Sequence, residues 1–304
     1  MDHSALLYSS MNGFLDYMVP YISEGLNRNE PVFAALGREE VAALRDEMGA
    51  NDRLLLEDTR EWAPHPATRL RAFYEHILDQ LGRGAAGIRL AGEPVWPSGR
   101  PEFVLEWKRY ESVLNEALEP FPVTLVCTYP THRLTRSIAE SARRTHPFVA
   151  GNGSRGPSPE FRPPSELLRD WSPELSPPPE GAFELPIAVD PQEGRRLLRE
   201  RAIQLGARPD RVEDMCLAGD EVLTNALIHG GGVARALIWA EGDHLICQVE
   251  DLGPGVRDPL TGYHPPDLIS VGGRGVWLAR QVADLLQIAP GTQGTVVRLH
   301  VRLA

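Results

Sequence analysis

The sequence predicts an α/β protein of two unlike domains. The first is a parallel sheet with helices on both faces. The second is a mixed, mostly antiparallel sheet with helices on one face. Three observations predict this. Through roughly the first 150 residues, short apolar runs alternate with amphipathic stretches, as buried strands joined by crossover helices do. From 151 to 181 the chain reads GNGSRGPSPEFRPPSELLRDWSPELSPPPEG, crowded with Pro, Gly and Ser. Such a stretch buries too little to fold alone and reads as a linker. Beyond 182, two adjacent strand-like runs are separated by Gly242 and Asp243, a short hairpin signal. The expected boundaries are therefore 1–150, 151–181 and 182–304.

In the first domain, PVFAALG (31–37), DRLLLED (52–58), GIRLAGE (87–93) and VTLVCTYP (123–130) are dense enough in apolar residues for buried strands. Helices are expected between them, near 11–28, 38–48, 66–82, 102–118 and 131–144. The amino terminus, MDHSALLYSS, lacks a basic region followed by a long apolar stretch and is not a secretory signal. In the linker, Leu167, Leu168 and Trp171 are apolar enough to dock on a neighbouring surface.

In the second domain, AFELPIAV (182–189) alternates like a half-buried strand, and helices follow near 191–206 and 210–229. ARALIWAE and HLICQVED are the hairpin strands. A Gly- and Pro-rich loop runs from Gly253 to Gly275, a helix is expected over 276–286, and TVVRLHVRL (295–303) closes the chain as a strand. No internal repeat is visible.

Composition narrows the classes. The 304 residues are 42% hydrophobic, enough for about two cores. A formal charge of -11 argues against a nucleic-acid surface, which needs a basic face. Cys127, Cys216 and Cys247 form no C-x-x-C pair, which fits a reducing cytoplasm better than a disulfide framework or zinc ribbon. No run approaches the roughly 18 apolar residues of a membrane span. The expected location is cytoplasmic.

The stretch DEVLTNALIHG (220–230) carries the most specific signal. Glu221, Asn225 and His229 recur every four residues and stack on one stripe of a helix, while Val222, Leu223, Ala226, Leu227 and Ile228 suit a core. A core helix with one polar line must aim that line at something polar. Three shorter motifs follow. VEDLGPGV places Asp251, Gly253 and Gly255 at a strand end; VGGRGVWLAR places Gly273, Arg274 and Gly275 just before a helix; GTQGTVVRLH places Gly294 and Thr295 at the start of the last strand. Each alone is a common turn or cap; their order together is far more specific.

On these motifs, residues 182–304 resemble the GHKL, or Bergerat-fold, ATPases, and within them the anti-sigma-factor serine kinases. The resemblance implies an ATP site. It makes Asn225 the ligand of Mg²⁺, a cation that prefers oxygen donors. Glu221, one turn earlier, is then placed to take a proton from an incoming hydroxyl; the structural alternative is a solvated helix carboxylate. Asp251 is placed to accept a hydrogen bond from the adenine amino group, with Glu250 as the competitor on the opposite strand face. Gly253 and Gly255 permit positive φ and close approach to the nucleotide; an ordinary turn would use the same glycines. Gly273, Arg274 and Gly275 open a helix whose free N–H groups suit phosphate. Thr295 supports the adenine end by resemblance. His229 shares the stripe, with a helix-capping histidine as the alternative.

A sensor histidine kinase would carry an acceptor His followed by an acidic residue, and no His-Glu or His-Asp dipeptide occurs. The resemblance therefore implies a kinase acting on a serine of a STAS-type anti-anti-sigma partner, a module that sequesters a sigma factor, or both. A non-catalytic nucleotide-gated binding module is the alternative, and a homodimer is left open.

Residues 3–149 have the rhythm of a RecA- or Rossmann-like sheet. The stretches FLDYMVPYISEGLNRNEPVFAALG, CTYP and THP resemble the MEDS sensory domain of methanogen and methylotroph regulators. The resemblance implies an unknown small-molecule signal. The chain has no G-x-x-x-x-G-K-[ST], which argues against nucleotide hydrolysis by this half. Ligands of open parallel sheets sit at the carboxyl ends of the strands, so Arg38, Asp58, Glu93, Thr128 and Tyr129 form an expected rim. Trp96, Arg100, Trp107, Arg109 and Tyr110 suit an aromatic wall or helix packing. His3, Cys127 and His146 have the chemistry of a metal or redox site.

Overall fold

The computed structural model describes the chain except for residues 64, 98, 152, 187–190, 231–233, 257, 259, 265–273 and 292–293. The chain divides into two units, Met1–Asp170 and Trp171–Ala304.

Met1–Asp170 runs β1 (Asp2–Tyr8), α1 (Met11–Asn27), β2 (Val32–Leu36), α2 (Arg38–Met48), β3 (Leu54–Asp58), α3 (Thr59–Trp62), α4 (Pro66–Gly82), β4 (Ile88–Gly92), α5 (Pro101–Ala117), β5 (Val123–Pro130), α6 (Arg136–Thr145), β6 (Phe148–Gly151), β7 (Ser154–Pro157) and α7 (Pro164–Asp170). The sheet order is β3-β2-β4-β5-β1-β6-β7. All neighbours are parallel except β6 and β7, which form an antiparallel edge. Local chemistry sets the helix starts: the Ser10 hydroxyl accepts from the Gly13 amide and Thr135 from the Ile138 amide, while Pro66 and Pro101 occupy first-turn positions. The helices cover both faces. Leu6, Ala34, Ala91 and Val126 pack with Phe14, Met18, Ile22 and Leu44 of α1 and α2. On the opposite face Phe33 meets Trp62 and Phe73.

The strands and helices expected in this half are present, with five additions, of which α3 and β6 are four residues each. Asp2–Tyr8 is a strand and lies inside the sheet, paired with both β5 and β6. Its side chains, His3 and Ser4 included, are buried almost throughout, so its polar start disguises a central strand. Two more additions come from the Pro-rich stretch. Ser154–Pro157 pairs with β6, and α7 buries Leu167 and Leu168. Arg109 Nη1 donates to the Leu168 carbonyl at 3.1 Å. The first part of the supposed linker is therefore folded onto this unit.

Trp171–Ala304 contains β8 (Phe183–Leu185), α8 (Pro191–Gln204), α9 (Pro209–His229), β9 (Ala234–Glu241), β10 (His244–Asp251), α10 (Arg274–Val282), β11 (Leu285–Pro290) and β12 (Thr295–Arg302). The order is β11-β12-β10-β9-β8, and every neighbouring pair is antiparallel. Gly242, at φ +60°, makes the expected hairpin turn. Leu245, Cys247 and Val249 face Val222, Leu223 and Ala226 of α9 and Ala279 of α10. One expectation needs correction: the helix expected to reach 286 ends at Val282, and Leu285–Pro290 is the edge strand β11. Asp284 fixes this corner, its amide donating to the His300 carbonyl and its carboxylate accepting from the Arg302 amide.

The outer sheet face carries Leu237, Trp239 and Ile246. Residues 173–178 line a groove of about 670 Å³ there with Gln248, Glu250 and Arg298. Arg298 Nη2 donates to the Ser176 carbonyl at 2.6 Å. This part of the Pro-rich stretch thus lies against the sheet instead of running free.

Candidate functional site

The site is built at one end of the C-terminal sheet, where α9 finishes, β10 ends, α10 begins and β12 starts. α9 is long because Pro209 opens it and twenty residues without Pro follow. Val222, Leu223 and Ala226 are buried under it, whereas Glu221 and Asn225 are half-buried and His229 is exposed at the last turn. Glu221 and Asn225 meet the start of α10. A Cβ placed on Gly275 would lie 2.7 Å from Glu221 Oε2 and 3.1 Å from Asn225 Nδ2. Glycine lets the first turn of α10 come this close without displacing the ends of these two side chains.

Asp251 is the second centre. Its Oδ1 accepts the Gly253 amide at 2.9 Å and the Thr295 amide at 3.2 Å. The same carboxylate is crowded by backbone from two further segments. A Cβ on Gly294 would lie 2.7 Å from Asp251 Oδ1, and one on Gly253 would lie 2.5 Å from the His229 carbonyl. Gly230, just past α9, has no room for a Cβ against Asp251. The four motifs, far apart in the chain, therefore converge: the first and third through Gly275, the first, second and fourth through Asp251. Gly230 was not singled out in the sequence, although its place in a Gly run directly after the stripe was a signal.

Some details meet expectation and others do not. Positive φ is needed at Gly255 (+79°) but not at Gly253, which is there for close approach. Thr295 is buried and its amide donates to Asp251. Glu250 lies on the opposite face, where Gln248 Nε2 donates to it at 2.7 Å. Arg274 is exposed at the first residue of α10, and Gly273 lies outside the described residues.

The other unit brings together some expected residues and separates others. Arg38 pairs with Asp58 at 3.2 Å and Glu61 at 3.0 Å on the surface. Glu93 is different: its carboxylate accepts the Gly37 amide at 3.3 Å and points toward the buried Glu40. Burial first, then the Glu40 charge, push the Glu93 carboxyl up to about 7. Thr128 and Tyr129 are fully buried and are not rim residues. Tyr129 OH donates to Glu111 Oε2 at 2.5 Å. Trp96, Trp107, Tyr110 and Tyr129 do form one aromatic cluster, with centroid separations of 6.3, 6.2 and 5.4 Å. Trp107 and Tyr110 are inside it, so it packs α5 on the sheet. Arg109 points away to α7, and Arg100 pairs with Glu102 at 2.7 Å. Sequence reading missed Arg69, whose guanidinium is buried beside Trp107 and donates to carbonyls of Thr59, Ala63 and Glu93. His3, Cys127 and His146, in contrast, do come together.

Comparison with known families agrees with this division. The family model for the MEDS domain, the methanogen/methylotroph DcmR sensory domain, matches residues 2–147. The family model for the histidine kinase-like ATPase domain matches residues 191–301. No curated protein matches the chain. A sensory domain joined to an ATPase-like domain is the arrangement of a signalling regulator, and the second domain is of a nucleotide-binding kind. No described helix is long and apolar enough to cross a membrane. The chain thus joins a MEDS domain, over residues 2–147, to a histidine kinase-like ATPase domain, over residues 191–301.

Proposed function

We propose that the C-terminal domain binds Mg-ATP and acts as an anti-sigma-factor serine kinase, phosphorylating a STAS-type anti-anti-sigma partner and holding a sigma factor, under control of a small-molecule signal at the MEDS domain. The observation that carries this reading is the convergence of Glu221 and Asn225 on Gly275 at the start of α10. The donor set fits the group: an amide oxygen for a hard cation, a carboxylate one turn away, and free N–H groups at the start of a nine-residue helix for phosphate. Bound Mg-ATP would supply an activated phosphoryl group.

The residues divide the work. Asn225 offers Mg²⁺ a carbonyl oxygen without adding charge. Glu221 stands one turn before it and takes the proton of the incoming serine hydroxyl. Gly275, Gly273 and the start of α10 hold the outer phosphates, with Arg274 beside them. Asp251 commits Oδ1 to two backbone amides, and its other oxygen reads the adenine amino group. Gly253 and Gly255 shape the loop that covers the nucleotide, with Thr295 and His229 at its margins.

The test is phosphate transfer from labelled ATP to anti-anti-sigma proteins. Wild-type protein is expected to label a serine, and Glu221→Ala to lose transfer by at least about a hundredfold, the usual scale of a general base, while binding ATP. ATP binding with no transfer to any such partner would replace the kinase by a nucleotide-gated binding module. Absence of ATP binding by folded protein would remove both.

A further inference from the structure

Another set of chemistry-bearing side chains lies in Met1–Asp170, on the sheet face beneath α5 and α6. His3 comes from β1, Cys127 from β5, and His146 is the residue that ends α6. Register explains the first pair. His3 lies opposite Leu125 and Ala5 opposite Cys127, so His3 and Cys127 share one sheet face two residues apart. All three are buried, with 1%, 2% and 0% exposure. Their ligand atoms lie within 4.8 Å of one another. Glu111 of α5 borders the trio: its Oε2 lies 3.5 Å from His146 Nε2 and accepts the Tyr129 hydroxyl at 2.5 Å, and its carboxylate also accepts from the Cys127 thiol.

Both imidazoles are oriented from behind. Asn115 Nδ2 donates to the carbonyls of Thr145 (2.7 Å) and Ser112 (3.3 Å), which fixes its amide with Oδ1 toward His3. That oxygen lies 3.0 Å from His3 Nδ1, so the proton sits on Nδ1 and the lone pair on Nε2, which faces Cys127 Sγ at 3.3 Å. His146 Nδ1 lies 2.8 Å from the Ala142 carbonyl, which can only accept, so its lone pair is also on Nε2. Two neutral rings, each donating its rear N–H to an oxygen and presenting the other nitrogen to a thiol, have the outer-shell pattern of metal ligands. The cluster's own protons leave it incomplete. One S–H cannot serve His3, Glu111 and His146 together, and His146 Nε2 has no hydrogen-bond partner among the described residues.

We propose that His3 Nε2, Cys127 Sγ and His146 Nε2, with Glu111 as fourth ligand, form a buried zinc site that ties β1, β5, α5 and the end of α6 together. Two imidazoles, a thiolate and a carboxylate are a tetrahedral, borderline-soft donor set that favours Zn²⁺ over Mg²⁺ or Ca²⁺. Binding expels the thiol proton, because the ligand is the thiolate, and with it any proton held by Glu111. Asn115 is a positioning residue: it orients the His3 ring and touches no metal.

The test uses the full chain without nucleotide, stripped by a chelator and titrated with Co²⁺. One equivalent is expected to bind with proton release and to give intense tetrahedral d–d bands and a thiolate-to-cobalt charge-transfer band, both bleached when one equivalent of Zn²⁺ takes its place. Cys127→Ser is expected to abolish the charge-transfer band, Cys216→Ala to leave it intact, and Asn115→Ala to weaken Co²⁺ binding about 10–100-fold with the same spectrum. Should Cys127→Ser fail to fold, sulfur in the first shell of the wild-type zinc protein, read by X-ray absorption, decides instead. A folded wild-type chain that shows no such bands and retains no zinc, or a charge-transfer band that survives Cys127→Ser, would overturn the site.

Discussion

Under the proposed function, Asp251 is one side chain that serves both structure and ligand. Its Oδ1 holds two amides that fix the loop and the start of β12, and a ligand needs only the other oxygen. Asp251→Asn retains an acceptor for the amides but presents an NH₂ to the adenine amino group. It should therefore keep the melting temperature within a few degrees and weaken ATP binding by at least about tenfold, or ~1.4 kcal/mol, as titration calorimetry would show. Glu93 illustrates the opposite case, a carboxylate placed where its charge is unwelcome. Its carboxyl is raised from 4.5 to about 7 by burial and by Glu40, against the pull of the Gly37 amide, Arg133 and Arg69. A raised folded-state value binds protons more tightly than the unfolded chain does. Its stabilising contribution is therefore complete below about pH 4.5 and lost as pH rises through about 7. Urea titrations of Met1–Asp170 unfolding across that window should show this loss, and Glu93→Gln should flatten it. Neither assignment follows from residue type alone. Glu93 and Glu40 are distant in sequence, and what makes them a pair is the turn at Gly37, where a Cβ would reach both carboxylates.

At the scale of elements, the helices α8 and α9 cross at Gly219, where a Cβ would stand 2.5 Å from Leu198 Cδ2. Leu198 is wholly buried, so the contact cannot relax into solvent. Gly219→Val should overpack the crossing and cost about 1–3 kcal/mol in denaturant unfolding, with the site residues on the next two turns displaced and ATP binding weakened. Element reading from sequence worked where burial and period agreed. The strands β2 to β5 and β9, β10 and β12 are apolar on at least one full face, and α4 and α5 each open on a proline in the first turn. It failed at β1, at the β6–β7 edge and at β11. β1 begins Asp-His-Ser, a polar run that is buried because its hydrogen bonds and ring contacts are met by distant residues. β7 is a short edge strand with almost nothing apolar, held by pairing to β6. β11 follows a helix directly, and Leu285 and Leu286 fit either period until β12 supplies the partner.

For the whole molecule, the two units each have their own core, one around Phe14, Met18 and Ile22 and the other around Met215, Val222 and Leu299. Differential scanning calorimetry should therefore resolve two components. Saturating Mg-ATP should raise only the one belonging to Trp171–Ala304, by about 2.7 kcal/mol at a hundredfold excess over Kd. Cobalt or zinc added to stripped protein should raise only the other. Equal shifts in both components with either ligand would contradict this assignment.

The sequence by itself determined the class of each unit, the alternation of strand and helix in most of both, and the four motifs of the ATPase-like domain. These are local patterns, in which burial period and glycine placement are written into contiguous residues. Only the tertiary structure decided that Asp251 is pinned by the amides of Gly253 and Thr295, that Gly230, Gly275 and Gly294 are points of close approach, and that the Pro-rich stretch lies on folded surfaces. It alone joined His3, Cys127 and His146 to Glu111 and Asn115. Residues more than a hundred positions apart become neighbours through strand order and register, and a single chain read in line carries no direct mark of that order.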